Sequence, residues 1–204
     1  SLLTGFVIYQ AVPANWVENR NDDLIYNYLA WGWIINMVSQ WIWYPTFSSF
    51  TGWGFIISTI DILVMIGSAL YMEFMSNRAE VNWAEWLFIR GGLSIYCGWL
   101  TAATILNVTA LLKFYEFEGF DWYSEEAITI TILYVAWFIY TLATYIELNP
   151  LYGAVFIWVC FAISAEIQDS RPEYTDLLAN VQWIGILHAI SITGLTSYLA
   201  TLSF

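Results

Sequence analysis

The stretch FIRGGLSIYCGWLTAATILNVTALL, residues 88–112, decides the fold class of this chain. Arg90 is its only charged residue. A helix rises about 1.5 Å per residue, so about 20 apolar residues cross the roughly 30 Å hydrocarbon core of a bilayer. The stretch is longer than that, and it predicts a transmembrane helix.

Polar side chains recur along one side of this predicted helix. Their spacing of three and four residues places them on a single helical face. Two interpretations remain open. The hydroxyls and the neighbouring small residues can serve helix packing, or the face can line a cavity for a ligand. The polar residues are Ser94, Cys97, Thr101, Thr104 and Asn107, and the small ones beside them are Gly98 and Ala102.

The composition of the whole chain agrees with a membrane protein. Hydrophobic residues make up 60% and charged residues 11% of the 204 positions. Soluble domains carry about 25% charged residues. Aromatic residues reach 20%, including 13 Trp and 14 Tyr, and such rings favour the bilayer interface.

The charge balance limits the partners. The chain carries 17 acidic and five basic residues, a net charge of −12. Nucleic acids and anionic lipid surfaces require basic patches, so neither is predicted as a partner. The acids cluster between the hydrophobic segments, as in Glu116, Glu118 and Asp121, which indicates solvated loops or sites for cations or basic partners.

The hydrophobic segments predict an all-α fold, a polytopic transmembrane helical bundle in one domain over residues 1–204. Six full spans follow an N-terminal segment, Leu2–Val12, that is too short to cross a bilayer. We expect this segment to be the end of a truncated first helix, which gives seven helices in the intact chain. The predicted spans are Leu24–Tyr44, Gly54–Tyr71, Trp83–Leu112, Ala127–Ile146, Leu151–Ile167 and Val181–Leu202.

Three segments carry a family resemblance. GLSIYCGWLTAATILNV, residues 92–108, resembles the signature helix of the tryptophan-rich TspO/MBR-related membrane proteins, which include the translocator protein. Gly92 stands where that family is expected to have proline. GFVIYQ (5–10) resembles the end of the family's first helix, and LAWGWIINMVSQWIWYPTF (29–47) resembles its second. The resemblance implies a protein that binds or senses a hydrophobic ligand, a porphyrin or a sterol, in a bacterial, mitochondrial or other internal membrane.

Indole and amide side chains are the candidate ligand contacts. Trp33, Asn36 and Gln40 fall on one side of the second span, and other spans add further indoles. An aromatic cage with a few amides suits a flat, largely apolar ligand such as a sterol or tetrapyrrole, although tight aromatic packing is the alternative. The candidate ligand-binding residues are Trp33, Asn36, Gln40, Trp99, Thr101 and Asn107.

Two ionisable side chains lie within predicted spans. Asp61 is in the third span, where a carboxylate costs about 3 kcal/mol on insertion scales, so we expect it to face the bundle and to be either paired or protonated. His188, the single histidine, lies in the last span. The two could form a buried pair or a proton step, or each could be a satisfied packing residue. Glu85, near the start of a span, is predicted to reach the interface as an anchor.

Several functions remain open. The first is the binding protein that the resemblance implies. The second is a structural or accessory subunit of a larger membrane assembly, or a homodimer, held by the aromatic surface. A transporter or channel using Asp61 and His188 is a third. The sequence contains no nucleophile–base pair, nucleotide loop or metal motif, so an enzyme is not predicted; one His and two separated Cys also predict no metal site.

Overall fold

The computed structural model describes residues 2–13, 16–17, 20–115 and 125–202. Glu116, Glu118 and Asp121 of the acidic loop lie outside the described residues. The described chain forms seven helices and contains no strand. They are α1 (Leu2–Ala11), α2 (Leu24–Leu29 continuing as Ala30–Phe47), α3 (Gly52–Arg78), α4 (Trp83–Phe114), α5 (Glu125–Ile146), α6 (Pro150–Ser170) and α7 (Thr175–Leu202).

Five of these helices, α3 to α7, are long and apolar enough to cross a membrane. The all-α membrane bundle predicted from the sequence is therefore confirmed, with five helices long enough to span where the sequence predicted six. Helix α2, whose segment Ala30–Phe47 contains Asn36, Gln40 and four tryptophans, is not among the five. Helix α1 has only ten residues and is an apolar helix shorter than a span.

The helices belong to two compact units, residues 1–116 and 117–204. In the first unit α3 packs against both α2 and α4, and α1 packs against the first half of α4. The buried residues of α3 recur at spacings of three and four, which gives the helix one continuous inward face. Gly32 on α2 allows close packing there, since a Cβ at this position would lie 2.4 Å from Met72 Cγ on α3.

Two asparagines join the three main helices of the first unit. Asn107 on α4 accepts a hydrogen bond from Trp43 Nε1 on α2, at 2.9 Å. Its amide nitrogen donates to two hydroxyls of α3, Ser58 Oγ at 3.3 Å and Thr59 Oγ1 at 2.7 Å. Asn36 on α2 donates to the Met65 carbonyl of α3 at 3.0 Å. Both asparagines are buried, so each amide replaces hydration with bonds to neighbouring helices.

A buried carboxylate fixes the start of α4. Asn82 and Glu85 form a capping box, in which each side chain bonds to the other's backbone nitrogen. Glu85 Oε1 also accepts from Tyr9 Oη of α1 at 3.0 Å and from the Asn21 nitrogen at 2.8 Å. The interfacial-anchor prediction for Glu85 was wrong, because this side chain is fully buried as the acceptor that ties α1 and the loop before α2 to α4.

Helix α4 continues from this box through a wider π-helical segment, Trp86–Gly91. A second π-helical segment, Leu24–Leu29, opens α2. Such segments often lie near functional sites, since the extra residue per turn reorients the side chains that follow. Here they precede the parts of α2 and α4 that contain Trp33 and Tyr96.

In the second unit α5, α6 and α7 pack against one another. Glu126 on α5 accepts a hydrogen bond from the Leu177 nitrogen at 2.9 Å, and so caps the first turn of α7. His188 of α7 contacts both other helices. Its Nε2 lies 3.2 Å from the Gly153 oxygen on α6, and its Nδ1 lies 3.4 Å from Thr141 Oγ1 on α5.

Substitution of Asn107 tests whether the polar face of α4 holds the first unit together. Asn107→Ala removes three interhelical hydrogen bonds, each worth about 0.6 kcal/mol on average in membrane bundles. We expect the free energy of unfolding, measured by titrating the purified protein from mild detergent into sodium dodecyl sulfate, to fall by about 2 kcal/mol. Thr109→Ala is the matched control, because among the described residues Thr109 bonds only to the Ile105 carbonyl of its own helix. Equal losses for the two variants would contradict this role.

His188 provides the corresponding test for the second unit. His188→Ala removes both interhelical contacts and leaves a cavity beside Phe156, whose ring centroid lies 5.1 Å from the imidazole. We expect the free energy of unfolding to fall by about 3 kcal/mol in the same titration. Ile190→Ala serves as the control on the same helix, because Ile190 is exposed. A His188→Ala protein as stable as this control would show that the imidazole does not hold the helices.

Candidate functional site

The first unit contains a cavity of about 540 Å³ between α1, α2 and α4. Its wall is mostly aliphatic and aromatic, with a few amide and hydroxyl groups. This volume and composition are typical of small-molecule sites, which occupy about 300–1,000 Å³. The lining residues are Leu3, Thr4, Phe6, Val7, Gln10, Ile25, Tyr26, Ala30, Trp33, Met37, Gln40 and Tyr96.

Trp33 is the central aromatic residue of this wall. Its indole stacks between Phe6, at 5.8 Å between ring centroids, and Tyr96, at 6.5 Å. These three rings come from α1, α2 and α4, so the cavity has a flat aromatic side built from three helices. Trp33 Nε1 is buried and has no hydrogen-bond partner among the described residues. Leaving a buried donor without an acceptor costs about 1–3 kcal/mol of free energy. A bound molecule that supplies an acceptor would remove this cost.

Asn36 lies behind the cavity wall and positions Tyr96. Its Nδ2 donates to the Met65 carbonyl and to Ser68 Oγ, both at 3.0 Å, and its Oδ1 accepts from Tyr96 Oη. The amide is fully buried and does not line the cavity. It therefore fixes the tyrosine ring that closes one side of the Trp33 stack.

Gln40 lies two turns beyond Trp33 on α2 and lines the same cavity. Its side chain is exposed and makes no hydrogen bond with the described residues. Gln10 of α1 also lines the cavity. These amides supply donors and acceptors at positions separated from the buried indole.

The other three candidate contacts do not line this cavity. Asn107 forms its hydrogen bonds with Trp43, Ser58 and Thr59 instead. Thr101 donates to the Cys97 carbonyl of its own helix at 2.9 Å. Trp99 exposes 41% of its surface. Of the six predicted ligand residues, the structure brings only Trp33 and Gln40 together at one cavity, with Asn36 supporting its wall. That the remaining three contact a ligand stays a prediction.

Asp61 and His188 lie in different units, α3 of the first and α7 of the second, and their pairing stays a prediction. His188 is buried against α5 and α6, as described above. Asp61 is only partly buried, but its Oδ2 atom is inaccessible and has no hydrogen-bond partner among the described residues. The part of the chain that the structure describes contains no group of three or more His, Cys, Asp or Glu residues arranged to hold a metal.

Sequence reasoning missed a second buried acid of α3. Glu73 is 4% exposed, and its side chain forms a hydrogen bond with Cys97 of α4. A signal for it was present, since Glu73 follows Met72 and precedes Ser76 on the inward face of α3. Glu73 lies only five residues before the end of α3, where an acid is commonly solvated, so the sequence alone does not reveal its burial.

Comparison with known proteins extends these observations to nearly the whole chain. A sequence model of the family described as TSPO-like protein matches residues 1–197. No curated protein and no solved structure matches the chain significantly. The family match confirms the resemblance seen in residues 92–108, and the apolar helices agree with it. The chain therefore belongs to the TSPO-like protein family and is an integral membrane protein.

Proposed function

We propose that this protein binds a flat hydrophobic ligand, a sterol or a tetrapyrrole, in the cavity between α1, α2 and α4, and holds or senses it without covalent chemistry. Membership of the TSPO-like family supports this class of function. The cavity also has the size and the mainly apolar wall that such a ligand requires.

The unsatisfied indole nitrogen of Trp33 is the observation that carries the proposal. A protein usually pairs its buried donors, but this one belongs to a residue that lines the cavity and has no acceptor among the described residues. A sterol hydroxyl or a tetrapyrrole carboxylate supplies the missing acceptor. The stacked Phe6, Trp33 and Tyr96 rings offer a planar apolar surface to the rest of the molecule.

Gln40 provides a second polar contact on the same helix face. It lies seven residues, or about 10 Å, from Trp33 along α2. Polar groups at such a separation orient an elongated ligand as well as retain it. In this arrangement Asn36 does not contact the ligand. It holds Tyr96 in place through the hydrogen bond to its hydroxyl.

Variants of Trp33 test the proposal directly. Trp33→Phe keeps an aromatic ring and removes the N–H donor. We expect the Kd for protoporphyrin IX and for cholesterol, measured by titration of the purified protein in detergent, to rise about tenfold because one buried hydrogen bond is lost. Ala30→Trp fills the cavity from α2, and we expect it to abolish saturable binding.

The matched control is Trp41→Phe, because Trp41 lies on the same helix but is 83% exposed and does not line the cavity. It should leave the Kd unchanged while removing one indole from the fluorescence signal. Saturable binding that is equally strong in wild-type protein and in Ala30→Trp would contradict the proposed site.

A second proposed function, a subunit of a larger membrane assembly or a homodimer, is favoured by Asp61. Asp61 of α3 is only partly buried and bonds to no described residue, so the accessible part of its carboxyl group would gain a partner from a donor on a neighbouring chain. Large aromatic side chains are also available for contacts between chains. Trp31, Trp41, Trp53 and Trp83 each expose more than two thirds of their surface.

Asp61→Leu distinguishes this function from the first one. If Asp61 bonds to a partner chain, the variant purified in mild detergent should lose stoichiometric partner or self-association by native mass spectrometry, whereas Leu63→Ala, on the exposed part of α3, should retain it. A monomeric wild-type protein with no bound chain would exclude the assembly function without affecting the cavity proposal.

A further inference from the structure

A groove of about 480 Å³ runs between α6 and α7 in the second unit. It shares no residue with the cavity of the first unit. The two helices touch beneath it, since a Cβ on Gly185 would lie 3.1 Å from Cys160 Cβ. The groove is lined by Ile157, Cys160, Phe161, Ser164, Ala165, Gln168, Val181, Gln182, Gly185, Ile186 and Ala189.

Ser164 is the first sign that the groove holds a ligand. The residue as a whole is 9% exposed, and no hydrogen bond joins its hydroxyl to a described residue. Serine in a helix commonly bonds back to the carbonyl four residues earlier. Here the hydroxyl stays accessible in the groove wall instead, where a molecule that enters the groove can bond to it.

Polar and apolar groups are segregated along the groove. Gln168 lies two residues before the end of α6, Ser164 lies one turn deeper, and Gln182 projects from α7. Neither glutamine side chain bonds to a described residue, although both line the groove. Farther from the α6–α7 connection, Ile157 and Ala189 make the wall apolar. From Gln168 to Ile157 the groove extends about 16 Å, which matches an amphiphile better than a compact solute.

The charges around the polar end restrict the head of that amphiphile. Arg171 is the only lysine or arginine in the sequence of the second unit, whereas four exposed acids lie within five residues of it along the chain. A negatively charged head would be repelled in this field, while a hydroxyl or an ammonium head would be accepted. The acids are Glu166, Asp169, Glu173 and Asp176.

We propose that the α6–α7 groove binds a single-chain amphiphile whose head carries hydroxyl or amine donors and no negative charge. The head bonds to Ser164, Gln168 and Gln182, and the alkyl chain lies along Cys160 and Gly185. An alkyl chain fits a furrow between two touching helices, whereas a partner helix, about 10 Å wide, would lie across its mouth and leave Ser164 unsatisfied.

Photocrosslinking of the full chain in nanodiscs tests this site. The probes are sphingosine, a monoacylglycerol and a fatty acid, each with a diazirine in the alkyl chain, and labelled positions are mapped by mass spectrometry. We expect sphingosine and the monoacylglycerol to label the groove residues in a manner that unlabelled compound displaces. The fatty acid, whose carboxylate meets the acidic surroundings, should label them at least tenfold less.

Two variants and a control locate the site. Ala165→Trp fills the groove and should reduce labelling at least tenfold, whereas Ala162→Trp, an equally exposed change on α6 outside the groove, should not reduce it. Ser164→Ala removes the hydroxyl. The concentration of unlabelled compound that displaces the probe should rise about fivefold, as expected for one lost hydrogen bond.

Four results would overturn the proposal, of which three are patterns of labelling. They are equal labelling by the fatty acid, wild-type labelling of Ala165→Trp, and labels spread evenly over the exposed faces of α5, α6 and α7, which indicates bulk lipid only. Absence of groove labelling by both donor-bearing probes would overturn it as well. Trp33→Phe should leave labelling of the groove unchanged. The proposal for the groove and the proposal for the cavity of the first unit are therefore tested separately.

Discussion

Hydrocarbon cannot solvate a polar group, and in this protein the amides of Asn36 and Asn107 meet that constraint by bonding across helices. Both amides reach α3, one from α2 and one from α4. Asn107 also accepts the Trp43 indole N–H of α2, so the three helices are joined by side chains that have no alternative partner in the lipid. These bonds tie α2 and α4 to α3, and α2 and α4 are two of the three helices that line the cavity.

The contrast between Asn107 and Trp33 separates structure from proposed function. Each contributes a buried polar group to the first unit, but the amide of Asn107 is satisfied by other side chains and the indole N–H of Trp33 is not. The same distinction separates His188, bonded to α5 and α6, from Ser164, which is left unsatisfied in a groove. In a membrane protein, therefore, an inward polar residue is most informative about a ligand when the protein itself does not satisfy it.

The periodicity of apolar and polar residues predicted the helices and the inward direction of the α4 polar face, because a 3.6-residue repeat is visible in the local sequence. It did not predict which cavity Trp33 and Gln40 share, since that depends on how α1, α2 and α4 pack. It also missed the burial of Glu85 and Glu73. Glu85 owes its burial to Tyr9 and Asn21, which are distant in sequence, so no local pattern indicates it.

A high-resolution cryo-electron microscopy structure of the purified protein with a saturating sterol or tetrapyrrole tests the account most directly. The account predicts ligand density between α1, α2 and α4, with a ligand acceptor atom within hydrogen-bond distance of Trp33 Nε1, and Asn107 still bonded to α2 and α3. Ligand density bonded to Asn107 with the α1–α2–α4 cavity empty, or Asn36 and Asn107 turned towards the acyl chains, would contradict it.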